Sequence, residues 1–473
     1  MIDVPAKELS PIEIYKYLPK TNCKECGETN CMAFAAKLVN REAALQECLP
    51  LLDPKQTETY SKLWALLKPS VKAVEIGSEN KKRKIGGEYV QFRHEFTYFS
   101  STAIAIDVSD EMSDEEVEIR VKFVNELTYQ YIGINLTLDM VAIRCTSNDP
   151  AKFEATAKKV AQLTDKPLIL CVLETAVMEQ GLAAVGDKRP LIYAATKNNW
   201  KEMADLALMY KCPLVASSPQ DLDTLKSLAK TLKEYGVDDI VLDPGTLWDE
   251  GTSTTVNNHT ILRDIAINEG DEDLGYPLLG VPMVAWSVHE EDHLVKEWNE
   301  AMLASVLVTR YTDIMILHSV SGWSLLPLIF LRQNLYTDPR KPVAVEAGVR
   351  AFGDVTDMSP VFLTTNFALT YYTVASDIES AKLSCHVLVV DSEGMSVESA
   401  VAGRKLTADT IAEAVKNFKL GDIVKHRHLV IPGRAARLSG EIQEATGWSV
   451  SVGPMDSSGI PKYLEEKWKP TVE

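Results

Sequence analysis

Residues 140–172, "MVAIRCTSNDPAKFEATAKKVAQLTDKPLILCV", contain one full repeat of the pattern that decides the fold. The stretch opens and closes with a short apolar, β-branched run, and the segment between them has helical spacing. Asp149 is placed to cap a helix whose first residue is Pro150, and Phe153 and Val160 then fall on one helical face. Continuous apolar strands joined by a helix predict a parallel sheet that is buried on both faces.

The same strand-and-helix pattern occurs eight times between about residue 100 and residue 335, and each gap has room for one helix. Eight such units in succession predict a (β/α)8 TIM barrel. A doubly wound open sheet is the alternative. The eight apolar runs are residues 102–108, 140–145, 167–172, 190–196, 213–218, 239–245, 281–287 and 313–319.

After residue 335 a second alternation begins, and "TDPRKPV" (337–343) is the expected linker. Five strands with interleaved helices predict a small, doubly wound, Rossmann-like α/β domain. The expected strands are 341–347, 360–366, 386–392, 428–433 and 448–454. The expected helices are 367–382, 396–403, 407–418, 434–446 and 458–468.

Charge and hydropathy narrow the class of protein. The 473 residues carry a formal net charge of −18, which disfavours nucleic acid as a partner because the phosphate backbone is also negative. Apolar runs long enough to cross a bilayer are absent from the sequence, and the first residues lack the basic and apolar regions of a signal peptide. We therefore expect a cytoplasmic protein without a membrane partner.

Four of the eight cysteines lie close together, in the pattern C-x2-C-x4-C-x16-C formed by Cys23, Cys26, Cys31 and Cys48. Three ligands from one short loop and a fourth from a returning segment suit the corners of a [4Fe–4S] cubane. Gly27 gives the loop freedom to curl between the second and third cysteines. A zinc site and a structural coincidence remain open from the spacing alone.

The cysteine loop, with "YKYLPKTNCKECG" (15–27) and "CMAFAAKLV" (31–39), resembles the large subunit of corrinoid/iron–sulfur proteins, in the form of the archaeal acetyl-CoA decarbonylase/synthase gamma subunits. The resemblance implies an iron–sulfur domain over 1–60, a TIM barrel over 61–335 and a corrinoid-binding domain over 336–473. It extends to "IGGEYVQFRHEFTYF" (85–99), "AIDVSDEM" (105–112), "LTTNFALTYYTVASDIE" (363–379) and "SSGIPKYLEEKW" (457–468).

A corrinoid is implied at the carboxyl ends of the strands in the last domain, where open α/β sheets bind ligands. Ordinary helix caps and turns are the alternative interpretation of these positions. The sequence lacks the Asp-x-His-x-x-Gly string that supplies a lower histidine ligand to cobalt in many cobalamin proteins, so a cobalamin-type corrinoid would be held base-off. By resemblance the contact residues are Thr364, Thr370, Gly394, Met395, Ser396, Val397, Gly433, Gly453 and Ser457.

The resemblance also implies a reaction and partners. Co(I) of the corrinoid would accept the N5-methyl group of a methyl-tetrahydropterin of the tetrahydrosarcinapterin type and pass it, reversibly, to the nickel site of acetyl-CoA synthase. The [4Fe–4S] cluster would return inactive Co(II) to Co(I). The implied partners are the small subunit, as a heterodimer, and the acetyl-CoA synthase and carbon monoxide dehydrogenase subunits. An electron-transfer protein with a barrel enzyme domain and no corrinoid is the alternative function.

Two further signals concern the barrel. Active sites of barrels lie at the carboxyl ends of the strands, so the barrel either binds the pterin there or serves as a scaffold that caps the corrinoid. "HEEDH" (289–293) matches the zinc-protease string H-E-x-x-H, but it follows a barrel strand at the acidic start of a helix, and that position explains the string better than a zinc site does. The polar candidates at the strand ends are Asp107, Asn148, Glu174, Asn198, Asn199 and Asp243.

Overall fold

The computed structural model describes residues 9–78, 81–287 and 292–468, and these residues fall into two units. The first unit comprises the chain up to Tyr129 together with Leu136–Tyr336. The second comprises Gln130–Asn135 and the chain from Thr337 onward. Within the described ranges, no helix is long and apolar enough to cross a membrane.

The first unit begins with a small helical module that carries the clustered cysteines. Ser10 caps its first helix through a reciprocal pair of hydrogen bonds with Glu13, each 3.2 Å long. Ile14, Phe34 and Leu63 form the centre of its apolar core. The helices are α1 (Pro11–Tyr17), α2 (Cys31–Val39) and α3 (Thr57–Leu67), with short 3₁₀ turns between α2 and α3.

An antiparallel hairpin of β1 (Val74–Ile76) and β2 (Arg83–Ile85) follows the helical module. Its inward side chains share one apolar core with the inner side chains of the barrel. The backbone N–H of Gly77 donates to the carbonyl of Arg189, which precedes a barrel strand. The hairpin therefore closes the amino-terminal end of the barrel.

Eight parallel strands form the barrel, in the order in which they occur along the chain. The last joint, between β10 and β11, consists of a single parallel bridge from Leu242 to Leu278. This arrangement confirms the predicted (β/α)8 barrel. The strands of the region are β3 (Ala103–Ser109), β4 (Thr128–Tyr131), β5 (Ile134–Thr137), β6 (Met140–Arg144), β7 (Leu168–Cys171), β8 (Leu191–Ala195), β9 (Leu214–Ser217), β10 (Ile240–Asp243), β11 (Leu279–Gly280) and β12 (Ile314–Leu317), of which β4 and β5 form a separate hairpin.

One helix follows each barrel strand, as the alternation predicts. The strand expected at 281–287 is wrong: the strand is Leu279–Gly280, and Pro282–Ser287 is a 3₁₀ helix. Pro282 lacks the N–H that a central strand needs for its ladder, which explains the early end of β11. The helices are α4 (Asp114–Glu126), α5 (Pro150–Leu163), α6 (Thr175–Val185), α7 (Trp200–Tyr210), α8 (Leu222–Tyr235), α9 (Thr252–Ile267), α10 (His293–Thr309) and α11 (Gly322–Leu335).

Helices α5 and α6 pack so closely that Gly181 has no room for a side chain. A Cβ at Gly181 would lie 2.5 Å from Cε1 of the buried Phe153. We expect Gly181→Ala to lower the free energy of unfolding by about 1 kcal/mol, because overpacking costs about 1–3 kcal/mol and the better helix propensity of alanine returns at most about 1 kcal/mol. Urea unfolding monitored by circular dichroism measures the change.

Gly440 in the second unit is the matched control for this substitution. It lies in a helix, and an added Cβ would meet no atom within 4 Å. Gly440→Ala should therefore raise stability, by up to about 1 kcal/mol. Equal stabilisation by both substitutions would show that the Phe153 ring shifts freely and that the contact with Gly181 is not tight.

The second unit contains a five-stranded sheet in the order β13-β15-β14-β16-β17, where all strands except β13 are parallel. The strand expected at 341–347 is wrong: the first strand lies at Gly348–Phe352, is antiparallel, and occupies the sheet edge. Pro342 interrupts the earlier run, which retains one isolated bridge at Ala344. The strands are β13 (Gly348–Phe352), β14 (Val361–Thr365), β15 (Cys385–Val390), β16 (His428–Ile431) and β17 (Ser449–Val452).

The helices of the second unit follow the predicted positions, but Leu420–Ile423 forms an additional helix that was not predicted, and the expected helix at 434–446 changes type part-way. There the first residues form a 3₁₀ helix, Gly433–Leu438, and only Ser439–Thr446 is an α-helix. The α-helices are α12 (Ala368–Ser380), α13 (Val397–Ala402), α14 (Ala408–Asn417), α15 (Leu420–Ile423), α16 (Ser439–Thr446) and α17 (Ile460–Lys467).

Three histidines cluster at the amino-terminal ends of the strands of this sheet. Nε2 of His426 donates to the carbonyl of Ser359 (2.9 Å), and its Nδ1 accepts from the backbone N–H of His428 (3.1 Å), so this ring is neutral. Burial lowers the pKa of His386 and of His428, and a charge on His426 would lower both further. His386 and His428 are therefore kept neutral in the folded protein, and these two histidines take up a proton more readily after unfolding.

We expect acid to weaken the second unit through these histidines. Since the folded-state pKa is lowered, their contribution is complete above the ordinary imidazole pKa of about 6.5 and is lost as the pH falls through it. The free energy of unfolding should fall by up to about 1.4 kcal/mol per pH unit for each proton taken up. Urea midpoints at about pH 7.5 and about pH 5.5 measure the slope. An equally steep slope in His386→Gln would contradict a role for His386.

Candidate functional site

The four clustered cysteines line a single cavity in the helical module, as their spacing predicts. Cys23 is exposed, Cys26 is half-buried, and Cys31 and Cys48 are buried. Phe34 contributes an apolar wall to the same cavity. One short loop and one returning segment therefore bring four sulfur donors to one place.

The loop that carries the first cysteines has an unusual backbone. Lys20, Asn22, Lys24 and Gly27 all have positive φ, between 49° and 81°. Alternation of left- and right-handed residues turns successive N–H groups toward one side, and such concave arrangements bind anions, including iron–sulfur clusters. The side-chain oxygen of Asn22 also accepts from the backbone N–H of Cys31 at 2.9 Å, which holds the loop against α2.

The four cysteine thiols also suit iron ions, whose positive charge would neutralise the thiolates. Burial raises the pKa of the Cys48 thiol, and the nearby thiolates of Cys26, Cys31 and Cys23 raise it further. Four thiolates this close repel one another unless a metal or cluster neutralises them. In the described part of the chain, no three His, Cys, Asp or Glu side chains are arranged as the ligands of a single metal ion. The all-sulfur donor set fits iron–sulfur ligation.

A second candidate site lies at the carboxyl edge of the sheet in the second unit. The strand order reverses between β14 and β16, and the crevice at such a switch point is where open α/β sheets bind ligands. Thr364 and Thr365 end β14 there, and both are buried. Neither hydroxyl oxygen has a hydrogen-bond partner among the described residues. A buried hydroxyl without a partner costs about 1–3 kcal/mol, so Thr364, the predicted contact, suits a ligand that supplies one.

The loop after β15 forms another side of this edge and is held rigidly. The side-chain oxygen of Asn366 accepts from the backbone N–H groups of Ser392 (2.9 Å) and Gly394 (3.1 Å). Gly394 has a φ of +72°, and a Cβ there would lie 2.7 Å from Pro342. Of the residues that follow, Met395 and Ser396 are half-buried, and Val397 is buried as the first residue of α13.

The remaining predicted contact residues lie along the same edge, but their closest neighbours are protein atoms. A Cβ at Gly433 would lie 2.8 Å from Sδ of Met455, and one at Gly453 would lie 3.0 Å from Val430. The Ser457 hydroxyl donates to Asp377 at 2.5 Å. Thr370 lies in the first turn of α12 and is half-buried.

Comparison with known proteins covers nearly the whole chain. The family model described as "CO dehydrogenase/acetyl-CoA synthase delta subunit" matches residues 73–464, and the model described as "Putative Fe-S cluster" matches residues 18–50. The gamma 1 subunit of the acetyl-CoA decarbonylase/synthase complex of Methanosarcina thermophila is 46% identical over 465 residues, which are 98% of this chain and 99% of that protein. The gamma subunit of Archaeoglobus fulgidus is 46% identical over 470 residues, with the same coverage.

The chain belongs to the acetyl-CoA decarbonylase/synthase gamma-subunit family. This membership confirms the resemblance seen in the cysteine loop. Among solved structures, dihydropteroate synthase from Thermus thermophilus matches at 14% identity and a TM-score of 0.40, over 56% of this chain and 100% of that one. Dihydropteroate synthase from Xanthomonas albilineans in complex with 7,8-dihydropteroate matches at 15% identity and a TM-score of 0.38, over 50% and 95%.

In this member of the gamma-subunit family, the polar candidates at the carboxyl ends of the barrel strands have different environments. Asp107 and Asp243 are buried, and burial raises the pKa of Asp243, whose oxygens accept from Tyr193, Ser217 and Gly245. Asn199 precedes α7 and accepts from the backbone N–H of Thr196 at 2.6 Å. The exposed candidates are Asn148, Glu174 and Asn198.

Most of the "HEEDH" string (289–293) of this chain lies outside the described residues, which resume at Asp292. His293, its last residue, is exposed and begins α10. Its ring centroid is 5.8 Å from that of Trp286.

Sequence reasoning missed the side chains that surround Asp107. Arg120, Arg144 and His318 all hydrogen-bond to its carboxylate, and Glu300 lies behind them. The sequence did contain a signal for this cluster. Arg144 is the last residue of the apolar strand β6, and His318 directly follows the apolar strand β12.

Proposed function

We propose that this chain is a methyl-carrying corrinoid/iron–sulfur subunit with methyltransferase activity: it accepts a methyl group from a methyl-tetrahydropterin and passes it, reversibly, to acetyl-CoA synthase. Membership of the gamma-subunit family supports a role within the complex, since the relatives are named as its subunits. The observation that carries the finer proposal is the buried hydroxyl of Thr364, which lies at the switch-point crevice and has no hydrogen-bond partner among the described residues.

The helical module would hold the [4Fe–4S] cluster through Cys23, Cys26, Cys31 and Cys48. The anion-binding loop and the sulfur-only donor set support this assignment. A cluster at that place supplies single low-potential electrons, which a reductively reactivated carrier needs. Cys23 is the exposed edge of the site and thus the natural point of electron entry.

The second unit would hold the corrinoid, which when bound supplies a cobalt able to accept and release a methyl group. Thr364 and Thr370 would hydrogen-bond to the ring or its substituents. Met395, Ser396 and Val397 would follow its edge on a loop that Asn366 keeps in place. Gly394, Gly433 and Gly453 let the turns at this edge pack against neighbouring atoms that a side chain would displace. The Ser457 hydroxyl, which donates to Asp377, would instead hydrogen-bond to the corrinoid.

The absence of a lower histidine ligand also fits the second unit. His386, His426 and His428 lie at the amino ends of the strands, opposite the carboxyl edge where the crevice opens. A cobalt without a protein imidazole beneath it receives less electron density and is more easily reduced. We therefore propose base-off binding.

The proposed partners are the small corrinoid/iron–sulfur subunit, in a heterodimer, and the acetyl-CoA synthase and carbon monoxide dehydrogenase subunits. The proposed domain limits are 1–60, 61–335 and 336–473. The methyl-tetrahydropterin would bind either to this barrel or to the partner of the heterodimer.

Anaerobic purification of the full chain, followed by metal analysis and visible and electron paramagnetic resonance spectra, tests the proposal. We expect about four irons and, after incubation with a corrinoid, about one cobalt per chain. The cobalt signal should lack nitrogen coupling from a lower ligand. Iron without cobalt, even when a corrinoid is offered, would favour an electron-transfer protein that has no corrinoid.

A further inference from the structure

The inner surface of the barrel changes from apolar to polar at its carboxyl end. Ala105 and Ala142 belong to the apolar interior, and Asp107 and Arg144 follow two residues later on the same inward faces of β3 and β6. His318 follows Ile316 of β12 in the same way. Burying charged groups costs free energy that apolar side chains avoid, so a scaffold alone gives no reason for this layer.

The centre of the polar layer is the fully buried carboxylate of Asp107. Its Oδ1 accepts from Nη2 of Arg120 (2.9 Å) and Nδ1 of His318 (2.6 Å), and its Oδ2 accepts from Nε (3.2 Å) and Nη2 (3.0 Å) of Arg144. Burial raises the pKa of Asp107, but His318, Arg120 and Arg144 together lower it more, so the pKa is below its ordinary value. Asp107 is therefore ionised at neutral pH.

Two polar groups of this cluster remain available to a ligand. Because Nδ1 of His318 donates to Asp107, Nε2 is an acceptor in the neutral ring and a donor once protonated. Neither Nε2 of His318 nor Nη1 of Arg144 bonds to any residue in the described ranges. The side chains of His318 and Arg144 are 24% and 34% exposed, so both groups are reachable from the barrel mouth.

The charges around His318 balance only while that ring is neutral. Arg120 and Arg144 are matched by Asp107 and by Glu300, whose oxygens accept from the backbone N–H of His318 (2.6 Å) and of Ser319 (2.8 Å). Burial raises the pKa of Glu300, and the hydrogen bonds from the backbone N–H groups of His318 and Ser319 favour its ionised form. Cys171 also faces Asp107, and burial raises the pKa of its thiol to about 12, so it is uncharged. A proton on His318 therefore leaves one positive charge without a partner.

We propose that the carboxyl end of the barrel is a second ligand site, in which a small oxyanion, a carboxylate or a phosphate-like group, binds between Arg144 and Nε2 of His318 while His318 takes up one proton. The proton comes from solvent and adds to Nε2, and no covalent bond is formed or broken. The bound anion offsets the charge that the proton introduces, and Asp107 orients the ring for it. Asp107, Arg144 and His318 all belong to the first unit, and none of them is a proposed contact of the cluster or of the corrinoid.

Isothermal titration calorimetry on the full chain tests the proposal, with sulfate and acetate as separate probes because neither titrates near neutral pH. Titrations in two buffers of different ionisation enthalpy report the protons taken up. We expect uptake that approaches one proton per bound anion. Tighter binding of sulfate would identify a phosphate-like ligand, and tighter binding of acetate would identify a carboxylate.

Substitutions show whether the bound anion occupies this site. His318→Gln should abolish proton uptake, and both it and Arg144→Gln should weaken binding at least about tenfold. His94→Gln, at an exposed histidine elsewhere in the unit, is the matched control and should change neither. Absence of binding at millimolar anion, binding without proton uptake by the unmodified chain, or unchanged binding in His318→Gln would overturn the proposal. If His318→Gln does not fold, the proton count of the unmodified chain decides alone.

Discussion

Cys48→Ser is expected to lower the iron content from about four atoms per chain to about three or fewer and to abolish cluster-dependent reduction of the corrinoid. Cys48 is the only one of the four cysteines that comes from the returning segment, and it is buried in the wall of the cysteine cavity. A serine there binds iron more weakly than a thiolate does, because soft sulfur ligands suit these clusters. Iron analysis and the visible spectrum of the anaerobic protein measure the loss.

Cobalt content should not change in Cys48→Ser, since the proposed corrinoid contacts lie in the other unit. Cys212→Ser is the matched control: Cys212 is also buried, but it lies outside the cysteine cavity. If Cys48→Ser retained the full cluster, the fourth ligand would have to be another residue.

Thr364→Val should affect stability and corrinoid binding in opposite directions. Valine has nearly the same shape, so the change removes a buried hydroxyl that has no partner among the described residues, and it should stabilise the corrinoid-free protein by about 1 kcal/mol. If Thr364 hydrogen-bonds to the corrinoid, the affinity should fall about tenfold, the equivalent of about 1.4 kcal/mol. Urea unfolding and a visible-absorbance titration with corrinoid measure the two effects.

Thr365→Val is the matched control for this experiment. Thr365 is also buried without a hydroxyl partner, but adjacent strand residues point to opposite faces of the sheet. It should stabilise the corrinoid-free protein similarly and leave the affinity nearly unchanged. Higher stability in both variants with no loss of affinity in Thr364→Val would remove Thr364 from the proposed contacts.

The sequence could predict the barrel because parallel strands buried on both faces leave continuous apolar runs, and their helices carry clear caps such as Asp149. It could not predict β11, whose two residues are shorter than any pattern can reveal. The hairpin of β4 and β5 was also missed, although Ile132 and Gly133 both have the positive φ of a two-residue hairpin turn. Each of the two strands has only four residues, and Leu136 is the one buried residue among them, so the hairpin gives little apolar periodicity to find.

The cysteine site and the Asp107 cluster of the barrel differ in how far the sequence could reveal them. Cys23 and Cys48 were predictable because the ligands of a cluster are few, of one type, and regularly spaced. The surroundings of Asp107 were not, because Arg120 comes from a helix and His318 lies 211 positions away in the chain. Closure of the barrel brings β12 next to β3, and only the folded ring places these groups together.

The weak joint between β10 and β11 determines where the barrel can open locally. It consists of one bridge, between Leu242 and Leu278, whereas β3 and β6 pair over five residues. The barrel can therefore open locally at this joint while its other strand pairs stay hydrogen-bonded. The backbone N–H of Leu242 donates to the carbonyl of Pro277 across this joint and should exchange its hydrogen for deuterium before the amides of β6 do. Local opening of the barrel would therefore begin beside Pro277.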